Sequence, residues 1–251
     1  MAASVKVCSR VGVSLGLLLL GAGSPVYSLN YAGDVFSLAD WILTIPIDDD
    51  GDGLADEVVM PTLRNFEDPD FFHLSGTGDS IVFRADCDDA TPLGTEFPRC
   101  QLRELKRGTK TLAQWGSGDG LVHNLTITAA FHGAPEANPH VVVAGIYEGE
   151  KEIITVALEG RQLLLTRDGL DPLVLQEEYV MGTPFELMVI IDHKRARAFF
   201  SNAQIAEWPL ENDALHYRAG CEVQSTPSLG DGAEQYGEVE IRALYITHGS
   251  S

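Results

Sequence analysis

The sequence predicts an all-β protein folded as a β-jelly-roll sandwich. Runs of β-branched or alternating residues recur along the 251 residues, clusters of Gly, Pro, Asp and Asn separate them, and hardly any segment has a helical pattern. No composition break marks a linker, which favours one domain. Because such paired sheets often curve, we expect one concave face to form an open groove.

The predicted strands run from "DWILTIPI" near residue 40 to "GEVEIRALYI" near the end of the chain. Between them lie "SIVFRA", "CQLREL", "LVHNLTITAAF", "HVVVAGIY", "EIITVAL", "RQLLLTR", "PFELMVIID" and "RARAFFS". The segment "LENDALHYRAGCEVQ" is harder to assign, although its second half alternates like a strand. Helical turns are expected only around "SLADW" and "TLAQW".

Residues 1–28 have the pattern of a secretory signal peptide. Lys6 and Arg10 precede the apolar run "VGVSLGLLLLGAG", which is short for a membrane span, and "VYS" ends in a small residue. An uncleaved anchor is the alternative. The expected product is a secreted, monomeric domain of residues 29–251, with no membrane contact after cleavage.

The net charge of −20 argues against binding to nucleic acid or to anionic membranes. Five basic residues nevertheless fall between positions 99 and 110. A local basic strip on an acidic protein indicates an anionic ligand at one place. The alternative is a strip that pairs with the surplus carboxylates.

The stretch "PRCQLRE" contributes part of that strip in a strand pattern. Side chains alternate between the faces of a strand, so Arg99, Gln101 and Arg103 share one face, while Cys100 and Leu102 face the core. Guanidinium groups are costly to bury without a partner. The row is therefore expected to face water or a ligand.

The cysteines fit an exported protein. Cys87 and Cys100 flank a Gly/Pro/Asp-rich loop, and a disulfide that closes such a loop stabilises the fold by roughly 3 kcal/mol. We predict this bond and a free, buried Cys221. A bond between Cys100 and Cys221 remains open.

The loop "DDDGDGLADE" has the rhythm of a calcium-binding loop. Asp48, Asp50, Asp52 and Asp56 offer short acidic side chains at alternating positions, which suit a hard cation. The carboxylate expected at the twelfth position is replaced by Val59. A structural calcium ion and a solvated acidic turn are both open.

The remaining chemistry-bearing residues carry weaker signals. No spacing of Cys and His indicates a zinc site, and most histidines are expected at the surface or at strand edges. Trp115 lies in a Gly-rich loop and is the best candidate for stacking on a sugar ring. The scattered histidines are His123, His132, His140, His193 and His248.

Several motifs together resemble the alginate lyases of polysaccharide lyase family 7. "DWILTIPIDDDGDGLADEV", "FPRCQLRE", "HVVVAGIY" and "HYRAGCEVQ" occur in the family's order and spacing. The resemblance implies a jelly roll with a concave cleft that cleaves a polyuronate by β-elimination, with no required cofactor. In that chemistry an arginine and an amide neutralise the substrate carboxylate, a base removes the C5 proton, and a tyrosine protonates the leaving oxygen.

The sequence departs from the family at several chemical positions. The family's Q-(I/V)-H is "GIY", so Gly145 replaces the amide and Tyr147 the histidine. In "HYRAGCEVQ", Glu222 replaces the family's catalytic tyrosine. By resemblance and strand parity, the predicted catalytic residues are Arg99, Tyr147 and His216. The predicted substrate-binding residues are Gln101, Arg103, Arg218, Glu222 and Gln224.

Three interpretations of this face remain open. It belongs to a lyase with rearranged proton-transfer groups, or to an inactive module that binds an anionic polysaccharide. In the third, the residues form a salt-bridge network in which Glu222 pairs with Arg103 or Arg218. The lyase is the favoured prediction, with alginate as the first candidate and other polyuronates open.

Overall fold

A computed structural model describes residues 31–249, which form two antiparallel β-sheets packed face to face. This confirms the predicted all-β jelly roll. Helical structure in these residues is limited to three short 3-10 turns, Ala32–Asp34, Thr62–Asn65 and Pro227–Leu229. None of the described helices is long and apolar enough to cross a membrane. The predicted signal peptide lies outside the described residues.

The larger sheet has eight of the fifteen strands, which are numbered in chain order, and it runs β10-β9-β8-β7-β14-β5-β1-β2. Its strands are β1 (Trp41–Ile45), β2 (Asp56–Val58), β5 (Arg99–Glu104), β7 (His140–Glu148), β8 (Lys151–Glu159), β9 (Gln162–Arg167), β10 (Leu170–Gln176) and β14 (Leu215–Val223).

The smaller sheet has seven strands in the order β13-β12-β11-β6-β15-β4-β3. They are β3 (Phe72–Leu74), β4 (Ile81–Asp86), β6 (Val122–Gly133), β11 (Phe185–Asp192), β12 (Arg195–Phe200), β13 (Ala203–Pro209) and β15 (Tyr236–Gly249). The difficult segment around residue 215 is thus strand β14, which lies near the middle of the larger sheet.

The hydrophobic core lies between the two sheets. Leu102 and Ala219 of the larger sheet are fully buried, and so are Phe83 and Phe131 of the smaller one. Alternation along each strand sends the neighbouring side chains to the opposite face. On β5 and β14 that outer face is polar, as predicted.

Gly220 allows β14 to approach β5 closely. Its φ of +146° is one that L side chains rarely adopt, and a Cβ at this position would lie 2.4 Å from the carbonyl oxygen of Cys100. On the other side of β14, the pairing with β7 shifts register between Ala219 and Glu222. The glycine therefore permits a local irregularity just before Glu222.

The predicted disulfide between Cys87 and Cys100 is not formed: both are free, buried thiols, as is Cys221. The strand register explains the difference, because it places Cys100 directly opposite Cys221 in the core. Burial raises the pKa of Cys87 to about 12 and also raises the pKa of Cys100 and Cys221. All three thiols are therefore protonated at neutral pH.

Candidate active site

The strand register gathers seven of the predicted site residues on the outer face of the larger sheet. Glu222 on β14 lies opposite Arg99 on β5, and His216 on β14 lies opposite Tyr147 on β7. The arginine patch, as we call it, consists of Arg99, Gln101, Arg103, Tyr147, His216, Arg218 and Glu222. The eighth, Gln224, follows β14 at the margin, where its amide donates to Glu152 Oε1 at 2.5 Å.

The patch is covered, although the sequence predicted a row that faces water. Arg99 and Glu222 are each 4% exposed, and Gln101 and Arg218 are fully buried. Two glutamates from neighbouring strand ends and turns lie over the guanidinium groups. They are Glu57 at the edge strand β2 and Glu150 at the tip of the hairpin between β7 and β8.

Glu150 holds two of the three arginines. Its Oε2 accepts hydrogen bonds from Arg99 at 3.1 Å and from Arg218 at 2.9 Å, while its Oε1 accepts from Arg218 at 2.8 Å. Burial raises the pKa of this carboxyl, but Arg218 and Arg99 outweigh that effect, so the pKa lies below its ordinary value. Glu150 is thus an internal anion at the place where an acidic ligand would meet the arginines.

Two further contacts of the arginines, with Glu57 and with the backbone of Gly149, complete this cover. Arg103 donates to Glu57, a residue whose side chain is about half exposed. Arg218 also donates to the carbonyl oxygen of Gly149 at 2.6 Å, which ties the hairpin tip to the sheet.

Glu222 is paired differently from the predicted network. Its Oε2 lies 3.6 Å from Arg99 Nη1 and accepts from the Gln101 amide at 3.4 Å, whereas the prediction paired it with Arg103 or Arg218. A salt-bridge network therefore does exist, but Glu150 and Glu57 supply most of its anions. Glu57 lies within "DWILTIPIDDDGDGLADEV" but had no predicted role, and Glu150 lies in none of the motifs that carry the resemblance.

Tyr147 lies beneath Arg218, whose guanidinium carbon is 4.3 Å from the ring centroid. The hydroxyl is buried and has no hydrogen-bond partner within the described residues. Burial, reinforced by the nearby charges of Glu222 and Glu152, raises the pKa of Tyr147 well above its ordinary value. At neutral pH this side chain is an acid that keeps its proton.

His216 is held as a neutral imidazole. Its Nε2 accepts a hydrogen bond from Arg218 Nε at 3.1 Å. Burial and the charge of Arg218 lower the pKa of His216 to about 4. The lone pair on this nitrogen is therefore already engaged by a cation.

Unpaired polar atoms are concentrated at this face. Burying such an atom without a partner costs about 1–3 kcal/mol. A ligand that carries hydroxyl and carboxylate groups could pair with several of them at once. The atoms on or beside the patch that lack a partner within residues 31–249 are Thr44 Oγ1, Arg99 Nε, Gln101 Oε1, Arg103 Nε and the Tyr147 hydroxyl.

The acidic loop between β1 and β2 brings part of the predicted calcium set together. One carboxylate oxygen from each of Asp48, Asp50 and Asp52 lies within 4.8 Å of the others, and all three residues are exposed. Asp56 is not in that group, and its Oδ2 accepts from the backbone of Asp49 at 3.1 Å. Calcium binding by the loop stays a prediction.

Trp115 does not serve as an exposed sugar platform. It is 7% exposed, and its ring stacks on His123 with centroids 4.2 Å apart. The residue sits at one end of the sandwich, where it pairs with Leu215 across an isolated bridge.

The two-sheet sandwich with a cationic patch on its larger sheet is the architecture expected for a jelly-roll protein of the polysaccharide lyase class. The chain belongs to the alginate lyase family, whose sequence model matches residues 36–248. An alginate lyase from Klebsiella pneumoniae is 40% identical over 110 residues, which are 43% of this chain. That match covers 36% of the length of the Klebsiella protein.

Solved structures of the family have the same fold. Alginate lyase AlgAT5 of polysaccharide lyase family 7 is 30% identical with a TM-score of 0.82, over 87% of this chain and 99% of that one. An alginate lyase from Corynebacterium sp. is 25% identical with a TM-score of 0.82, over 89% and 100% of the two chains.

Proposed function

We propose that this protein is a secreted lyase that cleaves an anionic polyuronate by β-elimination, with alginate as the first substrate to test. The observation that carries the proposal is the convergence of three arginines, an amide and ionisable side chains on adjacent strands of the larger sheet. Relatives over most of this chain are named alginate lyases, which supports the same conclusion.

Arg99 and Gln101 would act on the uronate carboxylate. A proton next to an ionised carboxylate is barely acidic, so guanidinium and amide donors must stabilise the charge that develops when it leaves. Arginine suits this role because its planar fork matches a carboxylate. Arg103 and Arg218 would hold neighbouring carboxylates along the polymer.

Glu150 would have to leave when substrate enters. Its carboxylate is hydrogen-bonded to Arg99 and Arg218 in this structure. The side chain can move away, because it is 45% exposed and lies on a hairpin tip. A uronate would exchange one carboxylate for another, so the arginines need never be buried without an anion. This exchange limits the net binding energy that each arginine can supply.

The proton transfers would fall to Tyr147 together with Glu222 or His216. The base takes the C5 proton, the C–H electron pair forms the C4–C5 double bond, and the C4–O4 bond breaks as Tyr147 protonates the leaving oxygen. The raised pKa of Tyr147 suits this acid role. Glu222 is the better base, because the lone pair of His216 Nε2 already accepts a hydrogen bond from Arg218 Nε.

An inactive polysaccharide-binding module is the second candidate. It is favoured by the tight cover of the patch, since Tyr147 is 1% exposed and Arg218 is fully buried. In a binding module, the arginines would only have to release the carboxylates of Glu57 and Glu150 and pair with the carboxylates of a ligand instead.

The decisive experiment incubates the purified protein with alginate, glucuronan and other polyuronates and follows the absorbance of the unsaturated uronate product. Tyr147→Phe should lower turnover by about two decades or more and leave polymer affinity unchanged. Tyr217→Phe is the matched control, because this buried tyrosine faces the core and its hydroxyl likewise has no partner within residues 31–249.

Binding without product from any polyuronate would establish the binding module and refute the lyase. If neither binding nor product is found, the patch is only a salt-bridge network.

A structural calcium ion at Asp48, Asp50 and Asp52 is proposed separately. Calcium should raise the melting temperature of wild type but not of Asp50→Asn.

A further inference from the structure

Two histidines meet at one end of the sandwich interior, away from the arginine patch. His123 on β6 and His248 on β15 lie directly opposite each other in the smaller sheet. Their Nδ1 atoms are 2.7 Å apart. His123 is fully buried, and we call these two residues the histidine pair.

Each imidazole has a carboxylate on its other ring nitrogen. His123 Nε2 lies 3.0 Å from Asp119 Oδ1, and His248 Nε2 lies 2.6 Å from Glu104 Oε1. The two carboxylates come from opposite directions, Asp119 from the loop before β6 and Glu104 from the inner face of β5.

Glu104 is itself fixed in place. Its Oε2 accepts from the Trp115 indole at 3.1 Å and from the backbone N–H of Tyr217 at 3.0 Å. Trp115 in turn stacks on the His123 ring at an interplanar angle of 13°. The orientation of both imidazoles is therefore set by groups that belong to both sheets and to the loop between them.

The hydrogen bonds of the four ring nitrogens indicate that a positive charge lies between the two imidazoles. If each Nε2–H donates to its carboxylate, two neutral rings point their Nδ1 lone pairs at each other across 2.7 Å. A proton or a metal cation must lie between them.

We propose that the histidine pair binds one divalent transition-metal cation, Zn²⁺ or Cu²⁺, through the two Nδ1 atoms. Imidazole is a preferred ligand of both ions. Ligating histidines almost always donate their other N–H to a carboxylate or carbonyl, which is the arrangement that Asp119 and Glu104 provide.

To bind the cation, the two Nδ1 atoms must move slightly farther apart than their present 2.7 Å. With metal–nitrogen bonds of about 2.0–2.1 Å, tetrahedral geometry places the two nitrogens about 3.3 Å apart. The side chain of His248 is 29% exposed, so its ring can shift outward by this small distance. Both rings line a cavity of about 1000 Å³, which leaves space for further ligands of the cation.

The test is metal uptake by the full chain after removal of metal with a chelator. Titration with Zn²⁺ and Cu²⁺ should show one bound equivalent, and copper bound there should show two nitrogen ligands by electron paramagnetic resonance. His248→Gln should abolish this binding. Asp119→Asn, at a partly exposed residue, should weaken it about 10–100-fold. His193→Gln changes an exposed histidine and should have no effect.

Three results would overturn the proposal. They are no uptake by wild type, unchanged uptake by His248→Gln, and loss of uptake in Asp50→Asn, which would place the cation on the acidic loop. None of these readouts depends on polysaccharide cleavage. The metal proposal can therefore fail while the lyase proposal stands, and the reverse.

Discussion

The arginine patch and the histidine pair are both buried polar clusters, but they are completed in opposite ways. The anions of the arginine patch come largely from Glu57 and Glu150, which are about half exposed. The anions of the histidine pair include Glu104, which is 3% exposed and accepts hydrogen bonds on both carboxylate oxygens. The first cluster can exchange its anions with solvent, whereas the second is part of the packed interior.

The largest difference is expected on removing Glu104. Glu104→Ala should destabilise the fold by about 3–5 kcal/mol, because the Trp115 indole, the Tyr217 N–H and the His248 ring would lose their acceptor inside the sandwich. Denaturant unfolding measures this loss. Glu207→Ala on the exposed strand β13 is the control and should leave the unfolding midpoint close to that of wild type. Equal losses would abolish the contrast between the clusters.

Acid should open the arginine patch through His216. Its pKa is about 4 in the folded protein and about 6.5 when unfolded, so the unfolded chain binds more protons between these values. Stability is therefore full above pH 6.5 and is lost as the pH falls towards 4, by about 3 kcal/mol. Urea unfolding at a series of pH values measures this slope. The dependence of the unfolding free energy on pH should become weaker in His216→Gln. An unchanged dependence would show that other groups cause it.

Arg99→Ala should weaken polyuronate binding while the protein stays folded. Losing one charge-assisted contact costs about 1.5–3 kcal/mol, or about one to two decades in affinity. Calorimetric titration with alginate oligomers gives the affinity, and circular dichroism checks the fold. Arg195→Ala, on the other sheet, should bind like wild type, and a normal affinity in Arg99→Ala would remove the patch from the binding site.

Glu150→Gln should have the smallest effect, and in the favourable direction. The amide oxygen can still accept from Arg218, but it no longer competes as an anion for Arg99 and Arg218. Affinity for alginate oligomers should rise by up to about tenfold, or about 1.4 kcal/mol. Glu178→Gln on the surface is the control. Weaker binding by Glu150→Gln would show that Glu150 helps the ligand to bind.

Much of the fold and of the arginine patch was predictable, because strand alternation alone places Arg99, Gln101 and Arg103 on one face. The cover over that face was not predictable, because the local sequence "YEGEK" does not indicate that the hairpin folds back and places Glu150 over the arginines. The histidine pair was missed for a related reason. His123 and His248 are 125 residues apart, and only the pairing of β6 with β15 makes them neighbours.

Gly145 makes the present form of the arginine patch hard to reverse. A Cβ there would lie 2.6 Å from the carbonyl oxygen of Ile154 and 2.9 Å from Cε2 of Tyr147. The glutamine that the family motif has at this position therefore cannot coexist with Tyr147 as it now packs. Replacing Tyr147 would relieve only the second of these contacts, so restoring the glutamine also requires β7 and β8 to shift apart locally.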